Sequence, residues 1–173
     1  MRKAKGKIQI GVIGSDGSIS REVKEIANRI GKDIAKAGAI LVCGGRGGVM
    51  EAACRGAVEE GGITVGILPT YEKNKANPFV KIVIPSGMGY ARNALVVAAA
   101  DGVIAIEGSV GTLSEIALAL NLGKPVIVIP SSGGVCATMP LKFTKNKSII
   151  EVYKAEPEEA VELLLKILLP NKP

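Results

Sequence analysis

The length, composition and charge of the chain exclude several classes of protein. Its 173 residues predict one domain, residues 1–173, and because 47% are hydrophobic but only 3% aromatic, an aliphatic core of helices on a parallel sheet is favoured over a β-sandwich. The net charge of +6 comes without the interleaved aromatics of a nucleic-acid-binding surface, so no nucleic-acid partner is expected.

The first half of the chain alternates short apolar strands with amphipathic helices. Strands are predicted at residues 7–13, 39–43 and 63–68. Between them, at residues 19–34 and 49–57, apolar side chains recur at steps of three and four, which is typical of helices packed on one side. Ser18 or Ser20 can cap the first helix, and Gly38 can end it.

The second half continues this alternation. Strands are predicted at residues 80–84, 102–106 and 125–129, and then a long loop at 130–147 and a short edge strand at 148–152. A helix at residues 91–100 is apolar except for Arg92 and Asn93, which predicts that it is buried on several sides. A further helix opens at Thr112, and a last one follows Pro157. The alternation predicts a single-domain, Rossmann-like, three-layer α/β fold with a mostly parallel sheet.

The polar segment at residues 69–78 interrupts the alternation. It carries Tyr71 and has a proline at each end. Long irregular segments of this kind are either surface loops or parts of a functional site. Two alternatives therefore stay open for this segment, a plain surface loop and a lid that closes over a ligand.

Three glycine-rich corners follow predicted strands. Such corners meet at the carboxyl edge of a parallel sheet, and free N–H groups at a helix start favour phosphate there. No corner is a dinucleotide or P-loop fingerprint, since Met50 replaces the last glycine of G-x-G-x-x-G. A small phosphorylated, nucleotide-like ligand is therefore expected, unless the glycines only form tight turns. The corner residues expected to contact it are Gly14, Ser15, Gly44, Gly45, Arg46, Gly47, Gly48, Gly108, Ser109, Val110, Gly111 and Thr112.

The helix after the third corner begins with the spacing of a capping box. In such a box Thr112 would accept the N–H of Glu115, and the Glu115 side chain would bond the N–H of Thr112 in return. Alternatively, Glu115 is a general acid/base or a ribose ligand beside the phosphate. The spacing leaves both alternatives open. The inner side of this helix is predicted to consist of Leu113, Ile116, Ala117 and Leu120.

Arg92 is one of the few charges in an otherwise apolar stretch. A buried guanidinium requires an anionic partner, and its planar fork favours a ligand phosphate over a protein carboxylate. Asn93 can bond the same ligand or only the preceding loop. Arg46 can clamp phosphate from the second corner or face water, while Asp16 and Glu51 are expected to be solvated or capping residues.

The cysteine pattern argues against both disulfides and metal. Cys43, Cys54 and Cys136 are odd in number, have no CxxC spacing and come without histidine, so no metal site is expected and the thiols are interpreted as small core residues. The apolar run at residues 8–13 is too short for a signal peptide, and no run reaches the length of a membrane span. A soluble, cytoplasmic protein without a membrane partner is expected.

Three segments, taken in order, resemble the signatures of one family. They are residues 43–53 (CGGRGGVMEAA), 89–93 (GYARN) and 108–115 (GSVGTLSE). The chain is thereby similar, from about residue 8 to residue 129, to the Lonely-Guy or lysine decarboxylase-like superfamily, which includes molybdenum cofactor carrier proteins. The resemblance implies a Rossmann-like homodimer or higher homo-oligomer. It also implies a ligand bound across the corners, either a nucleoside monophosphate or a molybdopterin-type compound. It specifies no other cofactor.

The resemblance also implies an alternative enzymatic activity. Phosphoribohydrolases of this family, the cytokinin-activating type, cleave the N-glycosidic bond of a nucleoside 5′-monophosphate with an arginine and a glutamate that match Arg92 and Glu115. The chain differs where those enzymes have proline, glycine, histidine and lysine, and its residues there are Glu107, Ser109, Tyr90 and Asn93. These differences favour a nucleotide-phosphate-binding protein that resembles the molybdenum cofactor carriers, and the hydrolase remains the alternative.

Overall fold

A seven-stranded parallel sheet forms the centre of the computed structural model, which describes residues 6–170. The strands of the chain are β1 (Gln9–Gly14), β2 (Ile40–Cys43), β3 (Ile63–Leu68), β4 (Ile82–Pro85), β5 (Gly102–Ile106), β6 (Val126–Ile129), β7 (Lys142–Lys145), β8 (Ser148–Glu151) and β9 (Tyr153–Lys154). Their order across the sheet is β4-β3-β2-β1-β5-β6-β9, and every pairing in it is parallel. The chain moves outward from β1 to β4 and then returns to β5, so the strand order reverses between β1 and β5.

Helices cover both faces of this sheet. They are α1 (Arg21–Lys36), α2 (Gly48–Glu59), α3 (Asn93–Ala99), α4 (Val110–Asn121), α5 (Gly134–Thr138) and α6 (Ala160–Leu168). Buried side chains of α1, α2 and α6 form one core cluster, and those of α3, α4 and α5 form the other. The predicted single-domain, three-layer, Rossmann-like α/β fold is confirmed. Within residues 6–170, no helix is long and apolar enough to cross a membrane.

The pairing of α1 with α2 depends on two glycines. A Cβ added at Gly31 would overlap the carbonyl oxygen of Ala53, and one added at Gly56 would overlap the carbonyl oxygen of Asn28. The two backbones are therefore in contact, and neither glycine position has room for a side chain. Ser20 accepts the N–H of Val23 at 3.1 Å, so it is the N-cap of α1, one of the two alternatives open from the sequence.

The prediction for residues 130–152 is confirmed only in that a strand forms within residues 148–152. The expected long loop contains α5 and β7, and the expected edge strand is β8, which pairs with β7 in a separate antiparallel hairpin. Asn146 and Lys147, at the tip of the hairpin, have positive φ angles of 50° and 66°, the backbone of a tight hairpin turn. The sequence Asn-Lys lacks the glycine that usually signals such a turn. The edge strand of the main sheet is β9 instead.

The predicted burial of the 91–100 helix on several sides is also wrong. Only its inner side is buried, through Val96 and Val97, whereas Leu95 is 38% exposed. The physical reason is that α3 is short and lies in a single layer over β1 and β2. Ile82 and Ile84 of the edge strand β4 are exposed as well, at 49% and 44%. Leu95, Ile82 and Ile84 together form an exposed apolar surface on the α3 side of the sheet.

Candidate functional site

One cavity of about 910 Å³ lies where the three glycine-rich corners meet, at the carboxyl ends of β1, β2 and β5. This is the edge at which the strand order reverses and where open parallel sheets bind ligands. Its volume is in the range of small-molecule sites. The predicted site residues that line it are Gly14, Ser15, Gly44, Arg46, Arg92, Asn93, Ser109, Val110, Gly111, Thr112 and Glu115.

Four predicted corner glycines do not line the cavity but shape its walls. Gly45, with φ +71°, packs on Gly66, and Gly48, with φ +59°, sits against the backbone of Ser15. Gly47 donates its N–H to Asp16 Oδ1 at 3.1 Å. The fourth is Gly108, whose φ of +87° places it under the Thr112 side chain. These residues fix the path of the backbone, and at Gly45, Gly48 and Gly108 a side chain would be strained by the positive φ.

Arg92 lies at the floor of the cavity and is only 8% exposed. Its Nη1 donates a hydrogen bond to Asn93 Oδ1 at 2.7 Å and lies 3.8 Å from Glu115 Oε1. Its Nε is buried without a hydrogen-bond partner among the described residues. The guanidinium lies flat against Gly44, where any added Cβ would overlap it. The Arg92 guanidinium can therefore pack against the second corner only because residue 44 is a glycine.

The Arg92–Glu115 pair does not neutralise itself. Burial raises the pKa of Glu115 to about 7, although the charge of Arg92 pulls that pKa down. Burial also lowers the pKa of Arg92, against the opposing effect of Glu115. In both groups loss of solvation outweighs their attraction at 3.8 Å. Near neutral pH, Glu115 is partly protonated, and the positive charge of Arg92 is left available to an anion.

The capping box, one of the two alternatives that the spacing left open for Thr112 and Glu115, does not form. Helix α4 begins two residues earlier, at Val110, with Ser109 as N-cap and no side-chain hydrogen bond to the cap. Thr112 and Glu115 are thus inside the helix and buried, and they face the cavity. Two residues predicted on its inner side, Leu113 and Ala117, are exposed, because the buried side of α4 carries Thr112 and Glu115 beside Ile116 and Leu120. The first residues of α4, Val110, Gly111 and Thr112, line the cavity, and no side chain caps the amides of this helix end.

The third corner carries an unusual backbone. Glu107 has a φ of 54°, which is rare for a residue other than glycine. Its N–H donates to Ser132 Oγ at 2.6 Å, and Gly108 O accepts the N–H of Val135 at 2.9 Å. The segment after β6 therefore holds this conformation from behind.

The second corner is held from outside by the 69–78 segment. Asn77 is 8% exposed; its N–H donates to Gly45 O and its Nδ2 donates to Arg46 O, at 2.9 and 2.8 Å. Only the first two residues of the segment, Pro69 and Thr70, line the cavity. In this conformation the 69–78 segment is a loop that stabilises the second corner. The Arg46 side chain pairs at 2.9 Å with Asp16, which joins the first corner to the second.

Sequence reasoning did not identify several residues around the cavity. Tyr90, Met50 and Thr70 line it, and Asn77 and Ser132 brace its corners. Three of these residues, Thr70, Asn77 and Ser132, lie in stretches interpreted as loops, where no periodicity signals burial. Within residues 6–170, no group of three or more histidine, cysteine, aspartate or glutamate side chains is placed to hold a metal ion.

Comparison with known proteins places the chain among relatives of similar size. A model of the SLOG cluster4 family matches residues 7–161. The molybdenum cofactor binding protein of the phototrophic bacterium Rippkaea orientalis is 36% identical, with a TM-score of 0.82 over 95% of this chain and 99% of that one. The molybdenum cofactor carrier protein of Chlamydomonas reinhardtii is 32% identical, with a TM-score of 0.79 over 96% and 100% of the two chains. An uncharacterized protein of Archaeoglobus fulgidus is 48% identical over 119 residues, 69% of this chain and 78% of that protein. These matches confirm the resemblance carried by the three motifs.

Proposed function

Because this chain belongs to the SLOG cluster4 family, we propose that it binds a small phosphorylated, nucleotide-like ligand in the cavity and holds it as a carrier. The ligand is a molybdopterin-type compound or a nucleoside monophosphate. Two solved structures of similar sequence are named for binding or carrying the molybdenum cofactor, and they share the fold along nearly the whole chain. Their names support a carrier more than an enzyme.

The observation that carries this proposal is the state of Arg92. A buried guanidinium with an unpartnered Nε and a carboxylate 3.8 Å away lacks the hydrogen bonds that its charge requires. The free amides at the start of α4 line the same cavity. A phosphate between them would receive charge-assisted bonds from the fork and dipolar ones from the helix. The ligand would therefore supply the anion that the protein lacks.

A phosphoribohydrolase is the second candidate, and Glu115 is the observation that favours it. A carboxyl group with a pKa of about 7, beside a phosphate-binding arginine, is suited to general acid/base chemistry at a ribose. The third corner favours the carrier instead. Proline cannot adopt the φ of 54° found at Glu107, because its ring holds φ near about −65°. The corner of this chain therefore could not accept the proline of the hydrolase motif without changing shape.

The deciding experiment measures binding and turnover together. We expect calorimetry to show that AMP or a phosphorylated pterin binds, and chromatography to show that AMP incubated with the protein releases neither adenine nor ribose 5-phosphate. Release that disappears in Glu115→Gln would overturn the carrier and support the hydrolase. If neither compound nor inorganic phosphate binds, the phosphate site itself is refuted.

We also propose that the chain forms a homo-oligomer through the uncovered face of α3 and β4. Ile82 and Ile84 are in register with Val65 and Ile67 of β3, so they lie on the α3 side of the sheet, where nothing covers them. Helix α3 carries no charged residue that would keep Leu95 solvated. A second copy of this chain, with the same apolar surface, is the occupant that this surface fits.

A charge at this face is expected to separate the copies. Sedimentation should show a dimer or larger assembly for the wild type and a monomer for Leu95→Glu, because a carboxylate cannot be buried there without a partner. The matched control is Ile149→Glu, which places the same charge at an exposed position on the β7–β8 hairpin and should leave the assembly intact. A wild type that stays monomeric at high micromolar concentration would contradict the proposal.

A further inference from the structure

We infer that the ligand held at Arg92 carries a flat ring system, and that Tyr90 stacks on that ring at the mouth of the cavity. This inference rests on the proposed function, because it takes the phosphate to lie at Arg92. It adds the residue that contacts the ring of such a ligand and selects it over a phosphorylated sugar.

The first argument comes from how the chain uses its five aromatic residues. Three of them, Phe79, Phe143 and Tyr153, pack against the core clusters. The other two, Tyr71 and Tyr90, are 78% and 92% exposed. Of this exposed pair, only Tyr90 lines the cavity. A large ring left in water at the edge of a binding site is a surface that a flat ligand group can cover.

The second argument is the rigidity of the turn that carries Tyr90. A short 3-10 helix spans Gly89–Arg92, so the tyrosine and the phosphate-binding arginine are two residues apart on one turn. Gly89 donates its N–H to Pro69 O at 2.9 Å, and Ala91 donates to Met88 O at 3.1 Å. The backbone is thus held to the neighbouring segment while the ring stays free. A ring placed in this way loses little conformational entropy when it stacks.

The third argument is the distribution of polarity within the cavity. Its floor holds Arg92, Asn93 and Glu115, all of them buried and polar. Its rim holds Tyr90 and also Val110, which is 79% exposed at the first position of α4. A ligand that matches both regions has an anionic end and an apolar, flat end. A phosphorylated heterocycle has this pattern, and a phosphorylated sugar alone has only half of it.

The test compares ligands with and without a ring, titrated by calorimetry into four forms of the full chain. AMP and a phosphorylated pterin carry a ring, whereas ribose 5-phosphate and inorganic phosphate do not. From the usual contribution of stacking on an aromatic side chain, Tyr90→Ala should weaken the binding of ring-bearing ligands about 5- to 150-fold. Binding of ribose 5-phosphate should stay within about twofold, because its contacts lie at the floor of the cavity.

Two further variants separate stacking from other effects. Tyr90→Phe keeps the ring and should bind AMP nearly as the wild type does. Tyr71→Ala removes the other exposed tyrosine, which lies outside the cavity, and should change nothing. Equal losses for AMP and ribose 5-phosphate in Tyr90→Ala, or no loss for either, would overturn the inference while leaving the phosphate site in place. If the wild type binds none of the four compounds, the proposed function fails, and the inference with it.

Discussion

An Arg92→Met variant is expected to bind AMP and a phosphorylated pterin at least about 30-fold more weakly than the wild-type protein, because truncating one partner of a buried charge pair costs about 2–5 kcal/mol or more. Methionine fills similar volume, but it offers neither charge nor donors to the phosphate. Calorimetric titration measures the loss directly. Arg92→Lys keeps the charge without the planar fork, so its affinity should lie between those of the wild type and Arg92→Met.

The fold of the Arg92→Met variant should survive, so the binding loss can be interpreted. Burial already disfavours the charge on Arg92, and without that charge the pKa of Glu115 rises further, so the carboxyl group remains protonated. A neutral carboxyl group is less costly to bury than an unpaired carboxylate. Arg21→Met, at an exposed position on α1, is the matched control and should bind as the wild type does. Binding by Arg92→Met within threefold of the wild type would refute the role of Arg92.

The difference in the free energy of unfolding between Glu115→Gln and the wild type is expected to shift in favour of the variant as the pH rises from 5 to 8. The folded protein holds the proton of Glu115 up to a pKa of about 7, whereas the unfolded chain releases it near the ordinary glutamate pKa of 4.5. Above pH 4.5 the folded state therefore binds more protons than the unfolded state, and its stability falls with rising pH until the folded pKa has been passed. Glutamine does not titrate in this range, so the stability of Glu115→Gln does not fall with pH for this reason.

The expected size of the effect is about 2 kcal/mol between pH 5 and pH 8, since each pKa unit corresponds to about 1.4 kcal/mol. Urea unfolding of both proteins at several pH values measures it as a changing difference in the free energy of unfolding. A difference that stays constant with pH would show that Glu115 titrates near its ordinary pKa in the folded protein. That result would also remove the main support for general acid/base chemistry at this residue.

The three corners were predictable because their signals are local. Glycines directly after apolar strands are visible in the sequence, and parallel strands bring their carboxyl ends to one edge whatever the details of packing. A charge within the apolar 91–100 stretch likewise marked Arg92 as a residue in need of a partner. The environment of Glu115 was not predictable in this way. The spacing Thr-Leu-Ser-Glu fits a capping box, but Val110 and Gly111 already form helix, so the same residues face the cavity.

The sequence by itself determined the order of strands and helices as far as β6, the three corners and the candidates Arg92 and Glu115, since periodicity and glycine placement depend on near neighbours. The tertiary structure alone decided that Asp16 pairs with Arg46, that Asn77 and Ser132 brace the corners, and that Tyr90 stands exposed at the cavity. These bonds of Asp16, Asn77 and Ser132 join residues that are 25 to 32 positions apart in the chain. No local pattern encodes them, because loop residues find their partners only after the sheet has brought the corners together.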